Sequence, residues 1–268
     1  MKNKLQGKVA VITGASRGIG LAIARAIVRE GGIVYDISRH FEANPEMKKS
    51  YIADVNDGVA IEKILETIFA EEGKIDIFVN NAGFGIAGAI ENSKKESIYS
   101  LVDTNLAAVI NLSRIALKYL KESKGRLVNT SSVGGIIPLP YQAVYSATKA
   151  GVEIFSRALA NEVKASGVKV TAIMPGDTKT TFTSSRTIEN NAQNEEDRAR
   201  IEKAIKKAEK EEQNGMSADC VAKVVLKVLK KKNPPLRKTV GVSYKFIVFA
   251  TRIVPTKFLN WLVRKIYI

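Results

Sequence analysis

A doubly wound parallel α/β sheet is the fold class this sequence predicts, on three observations. Short apolar runs alternate with longer segments whose apolar residues recur at helical spacing, the pattern of parallel strands joined by crossover helices. The first run, Val9-Ala10-Val11-Ile12, is apolar at every position, as a strand covered on both faces must be. Glycine-rich or polar punctuation follows the runs, at Gly14 to Gly20, Asp54, Asn80 to Gly83, Ser131-Ser132 and Pro175 to Thr181. Those are the carboxyl ends of the strands, where such sheets bind ligands.

Taken in order, the strand Lys8 to Thr13 lies between Gly7 and Gly14. Ile19 to Arg29 follows as a helix with Ala22, Ile23, Ala26 and Ile27 on one face. A strand at Ile33 to Ile37 leads through a loop around Asn44-Pro45 to another ending at Ile52-Ala53. The next helix carries Val59, Ile61, Ile64, Leu65 and Ile68, and a strand at Ile75 to Val79 ends in Asn80-Asn81-Ala82-Gly83. One long helix is expected over Ser97 to Tyr119, then a strand at Arg126 to Asn129. The helix holding Tyr145 runs through Ala158 and Val163 to a strand at Lys169 to Met174.

After Thr181 the pattern changes. Thr183 to Asn194 reads as a polar loop, and Glu195 to Gln213 is dense in mixed charge with a thin stripe of Ile201, Ala204, Ile205 and Ala208. Such a stripe suits a lid, about 181–215, lying on the body by one narrow face; the alternative is a solvated charged helix. Ser217 is placed to cap a helix whose apolar face is Val221, Val224, Val225, Val228 and Leu229. In residues 241–268, Phe258, Leu259, Trp261, Leu262 and Ile266 recur at helical spacing beside Lys257, Arg264 and Lys265. This basic amphipathic extension is too short to span a bilayer. It lies in a membrane interface, or packs on its own domain or on a partner subunit.

At 268 residues the chain can bury one sizeable core, and residues 1–268 are read as a single domain. The net charge is +15, and from Ser217 onward twelve Lys and Arg stand against Asp219 alone. That excess fits a solvated surface, an acidic partner or a membrane surface; no nucleic-acid partner is expected. A single cysteine, Cys220, excludes an internal disulfide and points to a reducing compartment. A single histidine, His40, argues against clustered-histidine zinc sites and against a Ser-His-Asp hydrolase, so no metal site is expected. Met1 to Lys8 is short and polar, unlike a signal peptide. The expected location is cytoplasmic, with or without membrane association through the tail.

Two stretches carry chemistry. Gly14-Ala15-Ser16-Arg17-Gly18-Ile19-Gly20 follows the first strand and opens the first helix, so backbone amides and the helix dipole face one point, as a pyrophosphate requires. A literal dinucleotide fingerprint at Gly83, Gly85 and Gly88 opens no apolar-periodic helix and is read as a loop. Asp36 stands at the distance of a ribose-binding acid but inside its strand; the strand ends at Ser38-Arg39. An arginine beside a hydroxyl fits a 2′-phosphate, and Arg17 adds to it. In the second stretch, Tyr145 and Lys149 sit one helical turn apart, with Ser132 just upstream. A phenol titrates near ~10, and a neighbouring cation favours the phenolate, so such a pair can exchange a proton with a carbonyl or alcohol oxygen.

Gly14-x-x-x-Gly18-x-Gly20, Asp54, Asn80-Asn81-Ala82-Gly83, Asn105, Ser132, Tyr145-x-x-x-Lys149 and Pro175-Gly176 stand in the order and spacing of the short-chain dehydrogenase/reductases. The chain resembles that family over roughly 5–182, and the branch handling hydroxysteroids and retinoids in its lid and tail. The resemblance implies a Rossmann-type three-layer α/β/α domain that binds a nicotinamide dinucleotide. Tyr145 would then be the acid/base and Ser132 would hold the substrate oxygen. Lys149 would bind the nicotinamide ribose and depress the Tyr145 pKa, and Asn105 would anchor a relay water. Gly14, Ser16, Arg17, Gly18, Ile19, Gly20, Asp54, Val55, Asn81, Ala82, Gly83, Pro175, Gly176, Thr178 and Thr180 would contact the cofactor with Tyr145 and Lys149. Ser38 and Arg39 follow the NADP(H) rather than the NAD(H) pattern, from which Asp36 departs.

The expected activity is NADP(H)-dependent interconversion of a secondary alcohol and a ketone or aldehyde on a lipophilic small molecule such as a steroid. A 3-oxoacyl-thioester reductase is the alternative, and a non-catalytic NADPH-binding regulator is a third reading from another class. The resemblance also implies a homodimer or homotetramer.

Overall fold

A computed structural model describes residues 4–40 and 46–268; the loop expected around Asn44-Pro45 lies outside them. The elements run β1 (Val9–Thr13), α1 (Gly18–Arg29), β2 (Ile33–Ser38), β3 (Lys49–Ile52), α2 (Gly58–Glu72), β4 (Ile77–Asn80), β5 (Ile86–Gly88), α3 (Lys95–Val102) and α4 (Ala108–Ser123). They continue with β6 (Arg126–Thr130), α5 (Ala143–Glu162), β7 (Lys169–Pro175), β8 (Thr178–Lys179), β9 (Thr187–Glu189) and α6 (Glu195–Gln213). Last come β10 (Met216–Ser217), α7 (Ala218–Leu229), β11 (Arg237–Val240), α8 (Val242–Ala250) and α9 (Thr256–Tyr267).

Seven strands form one parallel sheet in the order β3-β2-β1-β4-β6-β7-β11. The direction of winding reverses between β1 and β4, and the crevice beyond their carboxyl ends is where this topology binds ligands. Alternation along β1 shows why the runs had to be wholly apolar. Val9 and Val11 pack with Ile61, Leu65, Leu112 and Leu159 of α2, α4 and α5 on one face. Ala10 and Ile12 pack with Ile23, Ile27, Val221 and Val225 of α1 and α7 on the other. This is the expected Rossmann-type α/β/α arrangement.

Three expectations need correction. The helix expected over Ser97 to Tyr119 is two helices joined by a π-helical turn at Asp103–Ala107, a form that tends to mark functional positions. Ser217 occupies the N-cap position of α7 without a side-chain cap; its hydroxyl lies 3.5 Å from the sulfur of Cys220. The polar loop after Thr183 contains β9, which pairs with β5 in the fingerprint-like glycine stretch. A strand the sequence pattern does not announce is β11, an edge strand whose Arg237 and Lys238 leave it no apolar run.

The α6 stripe packs on the body, whereas on α9 Phe258, Trp261, Leu262 and Ile266 stay exposed. On α6 the stripe Ile201, Ala204, Ile205 and Ala208 is buried, with Ile201 and Ile205 against Ala87, Ala89 and Ala192. The tail folds back on its own chain. Tyr267 Oη donates to Glu211 at 2.9 Å, Lys203 Nζ donates to the carbonyl of Ile268 at 2.8 Å, and Tyr244 donates to Asp177.

Candidate active site

A cavity of about 1240 Å³ opens at the carboxyl ends of the central strands, between the sheet, α6 and the two C-terminal helices. Drug-sized ligands occupy roughly 300–1,000 Å³, so there is room for a dinucleotide and a substrate together. Of the residues expected to bind cofactor or to act in catalysis, all but Gly20 and Asn105 line it.

At one end stands the glycine turn. Gly14 and Gly18 have φ of +69° and +58°, which side chains beyond glycine adopt only with strain. Gly20 lies one step inside α1, where an added Cβ would fall 2.2 Å from the Gly14 carbonyl oxygen. Its role is therefore to let the helix start tightly against the turn. The turn is pinned from β4: Asn81 and Ala82 donate backbone N–H groups to Thr13 Oγ1, and Asn81 Nδ2 donates to the carbonyls of Thr13 and Gly14. No side chain caps the first amides of α1. They are open to an anion.

Asp36 takes no part at the cavity surface. Its buried carboxylate accepts from the Ala15 amide at 2.8 Å and from Ser38 Oγ at 2.7 Å. A buried carboxylate needs such donors, and here it holds the turn instead of addressing a ribose. Ser38 gives its hydroxyl proton to that carboxylate and still lines the cavity. The exposed guanidinium groups of Arg17 and Arg39 remain at the cavity, with His40 alongside.

Further in, Ser132, Tyr145 and Lys149 come together. Ser132 precedes a short turn after β6, and its Oγ accepts from the Gly134 amide at 3.0 Å. Tyr145 and Lys149 project from the first turns of α5, with Lys149 Nζ 5.8 Å from the Tyr145 ring centre. Nζ donates to the Thr130 carbonyl at 3.0 Å, while Ser131 Oγ donates to the Lys149 carbonyl at 2.6 Å. Burial pushes the Tyr145 phenol up to about 12; Ser132 and Arg186 pull it down, and Glu212 and Asp177 add to the rise. Burial also lowers Lys149 to about 8. The net direction for Tyr145 is upward, set by desolvation, where a depression by Lys149 is expected.

Asn105 sits on the π-helical turn and is fully buried. Its Oδ1 accepts from the Phe84 amide at 3.1 Å and its Nδ2 donates to the Phe84 carbonyl at 2.9 Å. The side chain therefore fixes the loop after β4. Gly83 belongs to the same packing, since a Cβ there would stand 2.9 Å from Asn105 Oδ1.

The outer wall was not foreseen. Phe182 lies with its ring centre 5.8 Å from that of Tyr145. Ile247 of α8 and Leu259, Leu262, Val263 and Ile266 of α9 give the cavity an apolar side. Asp177, Glu211 and Glu212 line it too, the first with a carboxyl raised by burial. No spacing in the sequence ties these residues to Tyr145.

Among known proteins, the short chain dehydrogenase family model matches residues 8–191. A 3-ketodihydrosphingosine reductase of Bacteroides thetaiotaomicron is 37% identical over 239 residues, covering 88% of this chain and 89% of that one. The 3-oxoacyl-[acyl-carrier-protein] reductase of Escherichia coli is 38% identical over 189 residues, covering 66% and 76%. The crystal structure of a short-chain dehydrogenase from Streptomyces avermitilis superposes with a TM-score of 0.81 at 28% identity, over 92% of each chain.

Proposed function

The chain belongs to the short-chain dehydrogenase family, and from that premise we propose that it reduces the 3-keto group of a long-chain amino ketone with NADPH. That it is an oxidoreductase of a carbonyl and hydroxyl pair follows from the family and its reductase relatives. The family works on small molecules and uses nicotinamide dinucleotides. Residues 1–268 act in this reading as one dehydrogenase domain, assembled as a homodimer or homotetramer in the cytoplasm or at a membrane.

The observation that carries the substrate class is the outer wall of the cavity. An apolar side formed by Leu259, Leu262, Val263 and Ile266 suits an alkyl chain; of the carboxyl groups beside it, Glu212 and Glu211 pair with Arg186 and Lys207, and Asp177, held by Tyr244, is the one that suits an ammonium group. The relative named for 3-ketodihydrosphingosine matches along 88% of the chain, whereas the acyl-carrier-protein reductase matches along 66%. A linear 3-ketone replaces the steroid-like ketone expected from sequence. The acyl-thioester reading keeps one observation in its favour, the basic tail, which would suit an acidic carrier.

The residues present fit the cofactor. Open amides at the start of α1, glycines at positive φ and the exposed Arg17 and Arg39 make a cradle for phosphates. In this reading the turn from Gly14 through Ile19 holds the pyrophosphate. Arg39 and Arg17 hold a 2′-phosphate, Asp54 and Val55 meet the adenosine, and Asn81 to Gly83 lie along the middle. Pro175, Gly176, Thr178 and Thr180 meet the nicotinamide end. When bound, NADPH supplies a hydride to the carbonyl carbon. Tyr145 Oη gives its proton to the carbonyl oxygen as charge develops there, and Ser132 Oγ donates a hydrogen bond to the same oxygen. A phenol at about 12 stays protonated at neutral pH, which keeps the acid loaded for reduction. Lys149 holds the ribose side and offsets the phenolate left behind.

The test is NADPH oxidation over a panel of 3-ketodihydrosphingosine, a steroid ketone, an aromatic ketone and an acetoacetyl thioester. We expect kcat/KM for the amino ketone to exceed the others by at least about tenfold, the scale of an added apolar contact and a satisfied polar one. A preference for the thioester would overturn the substrate class and leave the family untouched. For the cofactor, Arg39→Ala is expected to weaken NADPH by about 10- to 100-fold, the worth of a charge-assisted contact, and NADH hardly at all. Equal weakening of both, measured by fluorescence titration, would remove the 2′-phosphate from this reading.

A further inference from the structure

Residues 241–268 contain Lys245, Arg252, Lys257, Arg264 and Lys265 and no Asp or Glu. Their two helices have opposed faces. Inward, Val248 and Val263 are buried, and Tyr244 and Tyr267 are tied to Asp177 and Glu211. Outward, Phe246 and, in the turn between the helices, Ile253 are 71% and 72% exposed, with Phe249, Phe258 and Trp261 also open to solvent. The Phe258 and Trp261 rings stack at 5.5 Å, and Lys265 Nζ stands 4.7 Å from the Trp261 ring. So large an apolar patch, rimmed by charge, marks an interaction surface.

Three residues belong to both surfaces. Ile247, Leu262 and Ile266 are 39–42% exposed and also line the cavity. The apolar outer face therefore runs into the cavity without a polar break at these positions. Neither helix approaches the ~20 residues needed to span a bilayer, and no helix among the described residues is long and apolar enough to do so. An amphipathic helix with aromatic residues on one face and cations beside them lies in the interface plane. The charge selects the occupant. A second copy of this chain would set five cations against five, whereas anionic headgroups complement them.

We propose that α8 and α9 dock the protein on an anionic lipid surface and that lipophilic substrate passes from that surface, by way of Ile247, Leu262 and Ile266, into the cavity. An alkyl chain following this path stays in apolar surroundings from bilayer to active site. The substrate in this inference rests on the function proposed above. Vesicle binding is read without turnover, so the two fail separately.

The experiment is co-sedimentation of the full chain with vesicles of phosphatidylcholine alone and of phosphatidylcholine and phosphatidylglycerol in equal parts. Binding is expected to the mixed vesicles, weakly to the neutral ones, and to be lost at high salt. Phe246→Ser/Phe249→Ser/Trp261→Ser is expected to lower binding at least about tenfold. Lys257→Gln/Arg264→Gln/Lys265→Gln is expected to lower it about fivefold per charge. None of these six residues lines the cavity. Reduction of a short, water-soluble ketone should therefore be unchanged, while kcat/KM for a long-chain ketone held in vesicles falls with binding. Should the serine variant lose its circular dichroism, the glutamine variant carries the test alone. The proposal is overturned if the native chain stays in the supernatant, or if folded variants sediment like it. It is equally overturned if sedimentation velocity shows a dimer that the serine variant dissolves, without vesicle binding.

Discussion

Tyr145→Phe is expected to lower kcat for ketone reduction by about 10²- to 10⁴-fold, the range for losing a positioned general acid, with NADPH binding retained. The change removes one oxygen and keeps the ring that packs at 5.8 Å from Phe182. It also relieves a buried phenol whose ionisation is already opposed by its surroundings. The fold should therefore hold, and the loss should fall on kcat rather than on cofactor affinity. The direction of pH dependence follows from the same group. Reduction needs the protonated phenol, present below about 12, so Tyr145 imposes no fall in that rate through the neutral range. Oxidation of the alcohol needs the phenolate, so that rate should rise with pH. Steady-state kinetics in both directions check the pair of expectations, and undiminished turnover in the phenylalanine variant would sink the assignment.

Most of the sheet and the inner half of this site were legible because each rests on local chemistry. A strand buried on both faces needs an unbroken apolar run, and β1 supplies Val9 to Ile12. A turn against a helix start needs glycine where φ is positive, at Gly14 and Gly18. Tyr145 and Lys149 share a helix, so their spacing alone brings them near each other. The outer half is held by contacts between distant segments, which no local pattern records. Tyr244 meets Asp177 across 67 residues of chain, and Tyr267 meets Glu211 across 56. Asp36 shows a related limit. Sequence puts Asp36 inside its strand rather than at the ribose, but only the fold shows that its carboxylate accepts from the Ala15 amide and from the Ser38 hydroxyl.

Lys149→Met is expected to raise the stability of the cofactor-free protein while lowering turnover at least about 100-fold. The ammonium is buried and titrates at about 8 in the fold against 10.5 for the free side chain. Between those values the unfolded chain binds more protons than the folded one, so this group's contribution to stability rises with pH across that window. Below about pH 8 the fold bears the whole cost of a buried charge, about 3 kcal/mol for a shift of that size. Methionine removes the charge at nearly equal volume and forfeits the bond to the Thr130 carbonyl, worth about 1 kcal/mol. The balance is about 2 kcal/mol, or roughly 5 °C in Tm for a chain of this length; it should vanish at about pH 10 and reverse above it, where the lost Thr130 bond outweighs what remains of the desolvation cost. Thermal melts at pH 7 and pH 10 measure it. A variant that melts lower at pH 7 would show that the Thr130 bond outweighs desolvation. One that turns over normally would remove Lys149 from the reaction. Both expected outcomes together would mean that the fold keeps a destabilising cation beside Tyr145 because the chemistry there requires one.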